Sequence, residues 1–182
     1  VDVTGNYSIE YVNNVDSLIN KANASISAPA TSVIYNGQTQ YQGGAVLSGF
    51  VVGDDVRASG LASGRNVGTY RSSLSASGAD VSNYNIAFNN EALSIGKKAA
   101  NLSVMNQTVV YNGATQTLNG TESAGFIAGD DLKFGGLPSG RQVGAYTAAL
   151  TVSGADAGNY DVTAGNGTLT ITPKQAQLIA KA

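Results

Sequence analysis

A phrase that returns at a fixed distance constrains this chain more than any other feature. Tyr35-Asn36-Gly37 comes back as Tyr111-Asn112-Gly113, an offset of 76 residues. The same offset carries Gly49-Phe50 onto Gly125-Phe126, Gly53-Asp54-Asp55 onto Gly129-Asp130-Asp131, and Ser63-Gly64-Arg65 onto Ser139-Gly140-Arg141. It also carries Ser77–Lys98 onto Ser153–Lys174, and a worn third copy, with Tyr7 and Ile9, runs to Lys21. Repeats of this length are domain-sized beads rather than the coils of a solenoid. The chain therefore divides into the tail of a preceding repeat (1–21), a first repeat (22–98), a second repeat (99–174) and the start of a following one (175–182).

Within each repeat the hydrophobic period is two, the signature of strands. Leu169 and Ile171 alternate with Thr168, Thr170 and Thr172, as Leu93 and Ile95 do in the first copy. Tyr146, Ala148, Leu150 and Val152 share one face of an expected strand, matched by Tyr70, Ser72, Leu74 and Ala76. Val33–Tyr35 and Val109–Tyr111 are short apolar strands halted by Asn-Gly, a strong turn signal. Phe50-Val51-Val52 and Phe126-Ile127-Ala128 read as another short strand, stopped by Gly-Asp-Asp. Asp caps helix N-termini well, so Asp54–Ala58 is expected to form one helical turn. The predicted class is all-β: tandem small β-sandwich repeats of immunoglobulin-like form, with that single turn in each. A β-grasp-like α+β module is the alternative.

The loop that closes each repeat carries a second pattern. Asp156 stands four residues before Tyr160, and Val162 follows two residues later; Asp80, Tyr84 and Ile86 repeat the spacing. In immunoglobulin-like sandwiches a tyrosine at such a corner sends its hydroxyl back to the upstream backbone. Asp80, Tyr84, Asp156 and Tyr160 are accordingly expected to form a structural corner, the alternative being a solvated turn that holds a tyrosine.

Chemistry is poorly provided for. The 182 residues include no His and no Cys, which removes the commonest general base, thiolate metal sites and disulfides. No phosphate-binding glycine loop occurs, and neighbouring carboxylates on a strand point to opposite faces. The chain is expected not to be an enzyme. Charged residues are 12% of the chain and the net charge is −2, which gives no basic footprint for nucleic acid. No apolar run is long enough to span a bilayer. The candidate binding residues are Asp54, Asp55, Asp130 and Asp131, as oxygen ligands for calcium, and Arg65 and Arg141, as contacts to an acidic sugar. Two adjacent carboxylates make a poor calcium cage. The expectation is no cofactor, with these Asp side chains capping backbone N–H groups or pairing with the arginines.

The ordered motifs Val-Tyr-Asn-Gly, Ser-Gly-Phe-Val-Val-Gly-Asp-Asp, Val-Gly-Thr-Tyr, Ser-Gly-Ala-Asp-x-x-Asn-Tyr and Leu-Thr-Ile-Thr-Pro-Lys resemble the YDG/MBG repeats of large bacterial exoproteins of the filamentous haemagglutinin type. The family's frequent Tyr-Asp-Gly is Tyr-Asn-Gly here, at Asn36 and Asn112. The resemblance implies a secreted cell-surface adhesin exported by two-partner secretion, whose repeats serve as stalk or spacer in attachment or biofilm formation. Its implied partners are neighbouring repeats of the same chain. The other function it allows is a module that binds a glycan or a host protein. Sugar sites favour exposed aromatic platforms, and Tyr41, which is Thr117 in the second repeat, is the one unmatched tyrosine of that kind.

Overall fold

The computed structural model describes residues 4–8, 10, 12–13 and 17–180. Ile9 of the worn copy lies outside them, and its companion Tyr7 is 71% exposed.

The first repeat comprises β1 (Ala22–Ser27), β2 (Thr31–Ile34), β3 (Gln40–Tyr41), β4 (Val46–Ser48), β5 (Arg57–Ser59), β6 (Ser63–Gly64), β7 (Gly68–Arg71), β8 (Ser75–Ser77), β9 (Tyr84–Asn89) and β10 (Ala92–Gly96). The second repeats it element for element: β11 (Lys98–Val104), β12 (Gln107–Val110), β13 (Gln116–Thr117), β14 (Thr121–Ala124), β15 (Lys133–Gly135), β16 (Ser139–Gly140), β17 (Gly144–Thr147), β18 (Thr151–Ser153), β19 (Tyr160–Gly165) and β20 (Thr168–Thr172). The chain is all-β, as the two-residue period requires. Its only helical pieces among the described residues are three-residue 3-10 turns, so the β-grasp alternative has no helix to support it.

Pairing is the same in both copies. One sheet has the order β4-β1-β9, with β1 parallel to β9 and antiparallel to β4. The next has the order β2-β10-β7, with β2 parallel to β10 and β7 antiparallel to it. The short pairs β3–β6 and β5–β8 complete the repeat. Ala58 of β5 and Ala76 of β8 pack in the same cluster as Ile26 of β1 and Ile86 of β9. Registers Ala22↔Tyr84 and Ile34↔Gly96 mean that β1 then β2, and β9 then β10, run along the repeat side by side. The chain therefore enters a bead at one end and leaves it at the other, and a single residue, Lys97, separates β10 from β11.

Alternation drives the packing. In β20 the burial alternates residue by residue, Leu169 being 0% and Ile171 1% exposed. Each such side chain contributes about 1.5–3 kcal/mol by leaving water. Three clusters result. One lies inside the first repeat around Ile26 and Leu74, and one inside the second around Val104, Leu118, Leu169 and Ile171. The third belongs to neither bead: Tyr35, Ala62, Leu93 and Ile95 of the first repeat merge with Ala100 and Tyr160 of the second. Small domains bury a low fraction of their surface, and these beads compensate by sharing a core.

Three sequence expectations need correction. The face Tyr146–Val152 is not one strand, because β17 pairs with β20 while β18 pairs with β15. Between them the backbone changes partners: Ala148 N–H goes to Gly167 O at 2.8 Å, Ala149 N–H to Gly136 O at 2.9 Å and Leu150 N–H to Asn166 Oδ1 at 3.2 Å. The crossing depends on Gly136, at φ +82, where a Cβ would lie 1.8 Å from the Ala149 carbonyl oxygen. Phe50–Val52 and Phe126–Ala128 are turns, with Asp54 N–H reaching Val51 O and Asp130 N–H reaching Ile127 O, both at 3.3 Å. The segment Asp54–Ala58 forms no helical turn; Arg57 already begins β5. The 3-10 turns sit instead at Val81–Asn83 and Ala157–Asn159, directly before the corner tyrosines.

Candidate functional site

The shared core between the beads is densely hydrogen-bonded, and it is built from the recurring motifs. At the start of the second repeat, the corner loop brings Tyr160 under the turn that carries Asp130. The Tyr160 hydroxyl accepts from Ile127 N–H at 3.0 Å and donates to Asp130 Oδ2 at 2.5 Å. The first repeat holds the same arrangement, in which the Tyr84 hydroxyl accepts from Val51 N–H at 2.9 Å and donates to the Asp54 carboxylate. The corner thus ties to backbone 33 residues upstream, across the bead, and uses a carboxylate as its second partner.

The remaining corner residues brace the same turns. Asp156 Oδ2 accepts from Asp131 N–H at 2.9 Å, as Asp80 Oδ2 does from Asp55 N–H at 2.8 Å. In return the side chains of Asp131 and Asp55 accept from Ala155 and Ala79 N–H, each at 3.2 Å. Asp55 also meets Arg57 at 3.2 Å on the exposed surface. Reciprocal bonds of this kind satisfy backbone donors that no strand ladder reaches.

Across the junction, the far end of the first repeat docks onto this frame. Asn36 Oδ1 accepts from Gln38 N–H at 2.9 Å, which folds the Asn-Gly turn. A Cβ on Gly37 would lie 3.2 Å from Ile127 Cγ2, so the turn sits flush against the second bead. The Tyr35 hydroxyl donates to Asp130 Oδ2 at 2.9 Å, and its ring meets that of Tyr160 edge-on, with centroids 5.6 Å apart. Phe126 lies against the other side of Tyr160 at 5.0 Å. Aromatic pairs of this geometry add about 0.5–1.5 kcal/mol beyond the area they bury.

Arg65 completes the lock. Its Nε donates to Gly37 O at 2.9 Å, Nη2 lies 3.4 Å from Asp130 Oδ1 and Nη1 lies 3.7 Å from Asp156 Oδ1. Beside it, Val67 N–H donates to Asn159 Oδ1 at 2.9 Å, and Asn159 Nδ2 donates to Asn66 Oδ1 at 3.3 Å. The Asp130 side chain is 3% exposed and accepts from two tyrosines and an arginine. Burial, reinforced by the hydrogen bond to Asp130, pushes the Tyr35 hydroxyl up to about 12. Tyr160 is raised by the same two causes, while Tyr84 is raised chiefly by its bond to Asp54.

The structure therefore brings together Arg65, Asp130, Asp156 and Tyr160 at one place. It leaves Asp54, Asp80 and Tyr84 at the outer end of the first bead and Arg141 at the outer end of the second, where Arg141 Nε donates to Gly113 O at 3.0 Å. Tyr35, Asn66 and Asn159 were not singled out from the sequence. Tyr35 and Asn159 lie inside motifs that recur, but a period of 76 residues does not say which copy faces which. Among the described residues no three acidic side chains converge as a metal cage would require, and no helix is long and apolar enough to cross a membrane.

These features define a tandem all-β repeat protein whose units lock end to end. Residues 100–170, within the second repeat, match the model of the MBG domain family (YGX type), and the first repeat presents the same motifs as the second in the same order. Comparisons with curated proteins and with solved structures found no match.

Proposed function

We propose that these repeats form a stiff section of an adhesin-like extracellular stalk on a bacterial surface, which projects a binding region elsewhere in the parent protein and does no chemistry itself. The observation that carries this reading is the junction: Tyr35 and Tyr160 are 1% and 3% exposed between beads, and one carboxylate bonds both hydroxyls. A junction that buries a core and is crossed by one residue resists bending, whereas a flexible spacer would be a run of Gly and Ser. In this reading the protein needs no calcium, binds no nucleic acid and reaches the surface by two-partner secretion, where it serves attachment or biofilm formation. Small-angle scattering at dilution tests it. Profiles from a single chain should fit an elongated particle two beads long, and a compact globule would refute the stalk.

The alternative, a module that holds a glycan or a host protein, is favoured by Tyr41, 72% exposed on β3. Saturable signal on a glycan array that disappears in Tyr41→Ala would establish it.

A further inference from the structure

Four Asn-Gly pairs occur in the chain: Asn36-Gly37, Asn112-Gly113, Asn119-Gly120 and Asn166-Gly167. A glycine after asparagine leaves its peptide nitrogen open to the asparagine carboxamide, because no Cβ stands in the way. Whether the two groups meet is decided by how firmly the folded chain holds each pair. We propose that Asn119 is a site of spontaneous modification. Its side-chain amide is lost to a cyclic imide formed with the Gly120 nitrogen, which water then opens to aspartate or isoaspartate.

The other three pairs are held. Asn36 Oδ1 accepts from Gln38 N–H and Asn112 Oδ1 from Ala114 N–H, each at 2.9 Å, and Asn166 Oδ1 accepts from Leu150 N–H at 3.2 Å. Their glycines are fixed as well. Gly37 O accepts from Arg65 Nε at 2.9 Å and Gly113 O from Arg141 Nε at 3.0 Å. A Cβ on Gly167 would lie 2.3 Å from Val104 O, so that glycine is packed against backbone. Ring closure at these sites must first break such bonds or shift packed chain. Asn119 carries none of these restraints. It lies exposed in the loop between β13 and β14, and among the described residues its carboxamide makes no hydrogen bond. Gly120 is exposed too, and a Cβ on it would meet nothing within 4 Å.

The step balances with water alone and changes no oxidation state. Water or hydroxide takes the Gly120 N–H proton, the nitrogen bonds Asn119 Cγ, and the Cγ–NH2 bond breaks as ammonia departs. One water then opens the five-membered imide. Cleavage between Cγ and nitrogen restores the ordinary main chain as aspartate. Cleavage at the other carbonyl leaves isoaspartate, whose main chain runs through Cγ and is one atom longer. Either product adds one negative charge to a net charge of −2. The loop can absorb the extra atom because its anchors lie outside the pair. Leu118, 1% exposed, holds one side with its N–H on Pro138 O at 3.0 Å, and Thr121 holds the other opposite Val104. The first bead has Gly43-Gly44 at the matching place, so only the second bead takes the mark.

Incubating the folded chain in warm, mildly alkaline buffer, followed by isoelectric focusing and peptide mass spectrometry, tests the proposal. One acidic step should appear, located to Asn119, as a mixture of aspartate and isoaspartate. Asn36, Asn112 and Asn166 should keep their amides, and circular dichroism should stay that of the parent. In urea, which releases the held pairs, all the Asn-Gly pairs should convert together. Asn119→Gln, whose longer side chain closes a six-membered imide far less readily, should remove the acidic step from the folded sample. Conversion at Asn36, Asn112 or Asn166 as early as at Asn119 overturns the proposal, and so does an Asn119 amide that survives as long as theirs. Aspartate without isoaspartate overturns the imide route. Conversion confined to Asn119 in urea as well overturns the role given to the fold.

Discussion

Asp130 and Asp54 occupy the same position in their repeats, yet their removal should cost very different amounts. Asp130→Ala takes away the acceptor that the Tyr35 and Tyr160 hydroxyls share, and both rings are almost wholly buried. A buried donor left without a partner costs about 1–3 kcal/mol, so the two together lose about 2–6 kcal/mol. Arg65, whose side chain is 46% exposed, adds no more than about 0.5 kcal/mol because water screens it. Asp54→Ala strands one hydroxyl, that of Tyr84, in place of two and should cost clearly less.

Urea unfolding followed by tyrosine fluorescence and far-ultraviolet circular dichroism measures both variants, since the chain has no Trp to dominate the signal. Asp130→Asn, which keeps the shape and one acceptor oxygen, should fall between the parent and Asp130→Ala. Equal losses for Asp130→Ala and Asp54→Ala would refute the reasoning, because the junction would then contribute nothing beyond the corner itself.

The remaining predictions follow from the same geometry. Tyr35→Phe should cost about 1–2 kcal/mol and Tyr111→Phe less than about 0.5 kcal/mol in the same unfolding assay; a reversed order would contradict the junction. The neutral tyrosine is the form that the junction binds, so the Tyr35 hydroxyl, raised to about 12, contributes stability that is complete below the ordinary value near 10. That stability is lost as pH rises from there to about 12; ultraviolet titration should find tyrosinate forming late, and stability flat across this window would be inconsistent. Calcium or a chelator should leave the melting temperature unchanged, whereas a site filled at a hundred times its dissociation constant would add about 2.7 kcal/mol.

Much of this was readable in the chain. The offset of 76 residues, the alternation in Thr168–Thr172 and the spacing from Asp156 to Tyr160 point to β-beads and to a bonded corner. Two kinds of information were not local. Tyr146–Val152 keeps a continuous inside–outside alternation, yet its backbone changes sheets midway, because strand partners are set by Gly167, Gly136 and Asn166 from elsewhere in the chain. Phe50–Val52 has strand composition, but its N–H and C=O groups go to a tyrosine hydroxyl and a turn rather than to a ladder. Residue type registers propensity for a strand and says little about which groups compete for the bonds.

The pairing of Arg65 with Asp130 rather than Asp54 shows the deeper limit. In a repeated chain each Arg sees two equivalent Asp in the sequence, and only the direction in which the beads are stacked decides between them. That direction follows from topology: β1 and β9 run parallel, β2 and β10 continue them, and the exit of one bead meets the entrance of the next. The polarity in turn explains how a chain without disulfides holds small beads together. Stability in stacked repeats is the sum of what each unit supplies and what each interface adds. Here the interface carries Tyr35, Leu93, Ile95, Ala100 and Tyr160 in one cluster, so bending the chain at the junction would require opening a core. In the proposed stalk, stiffness would follow from the same contacts that make each bead stable.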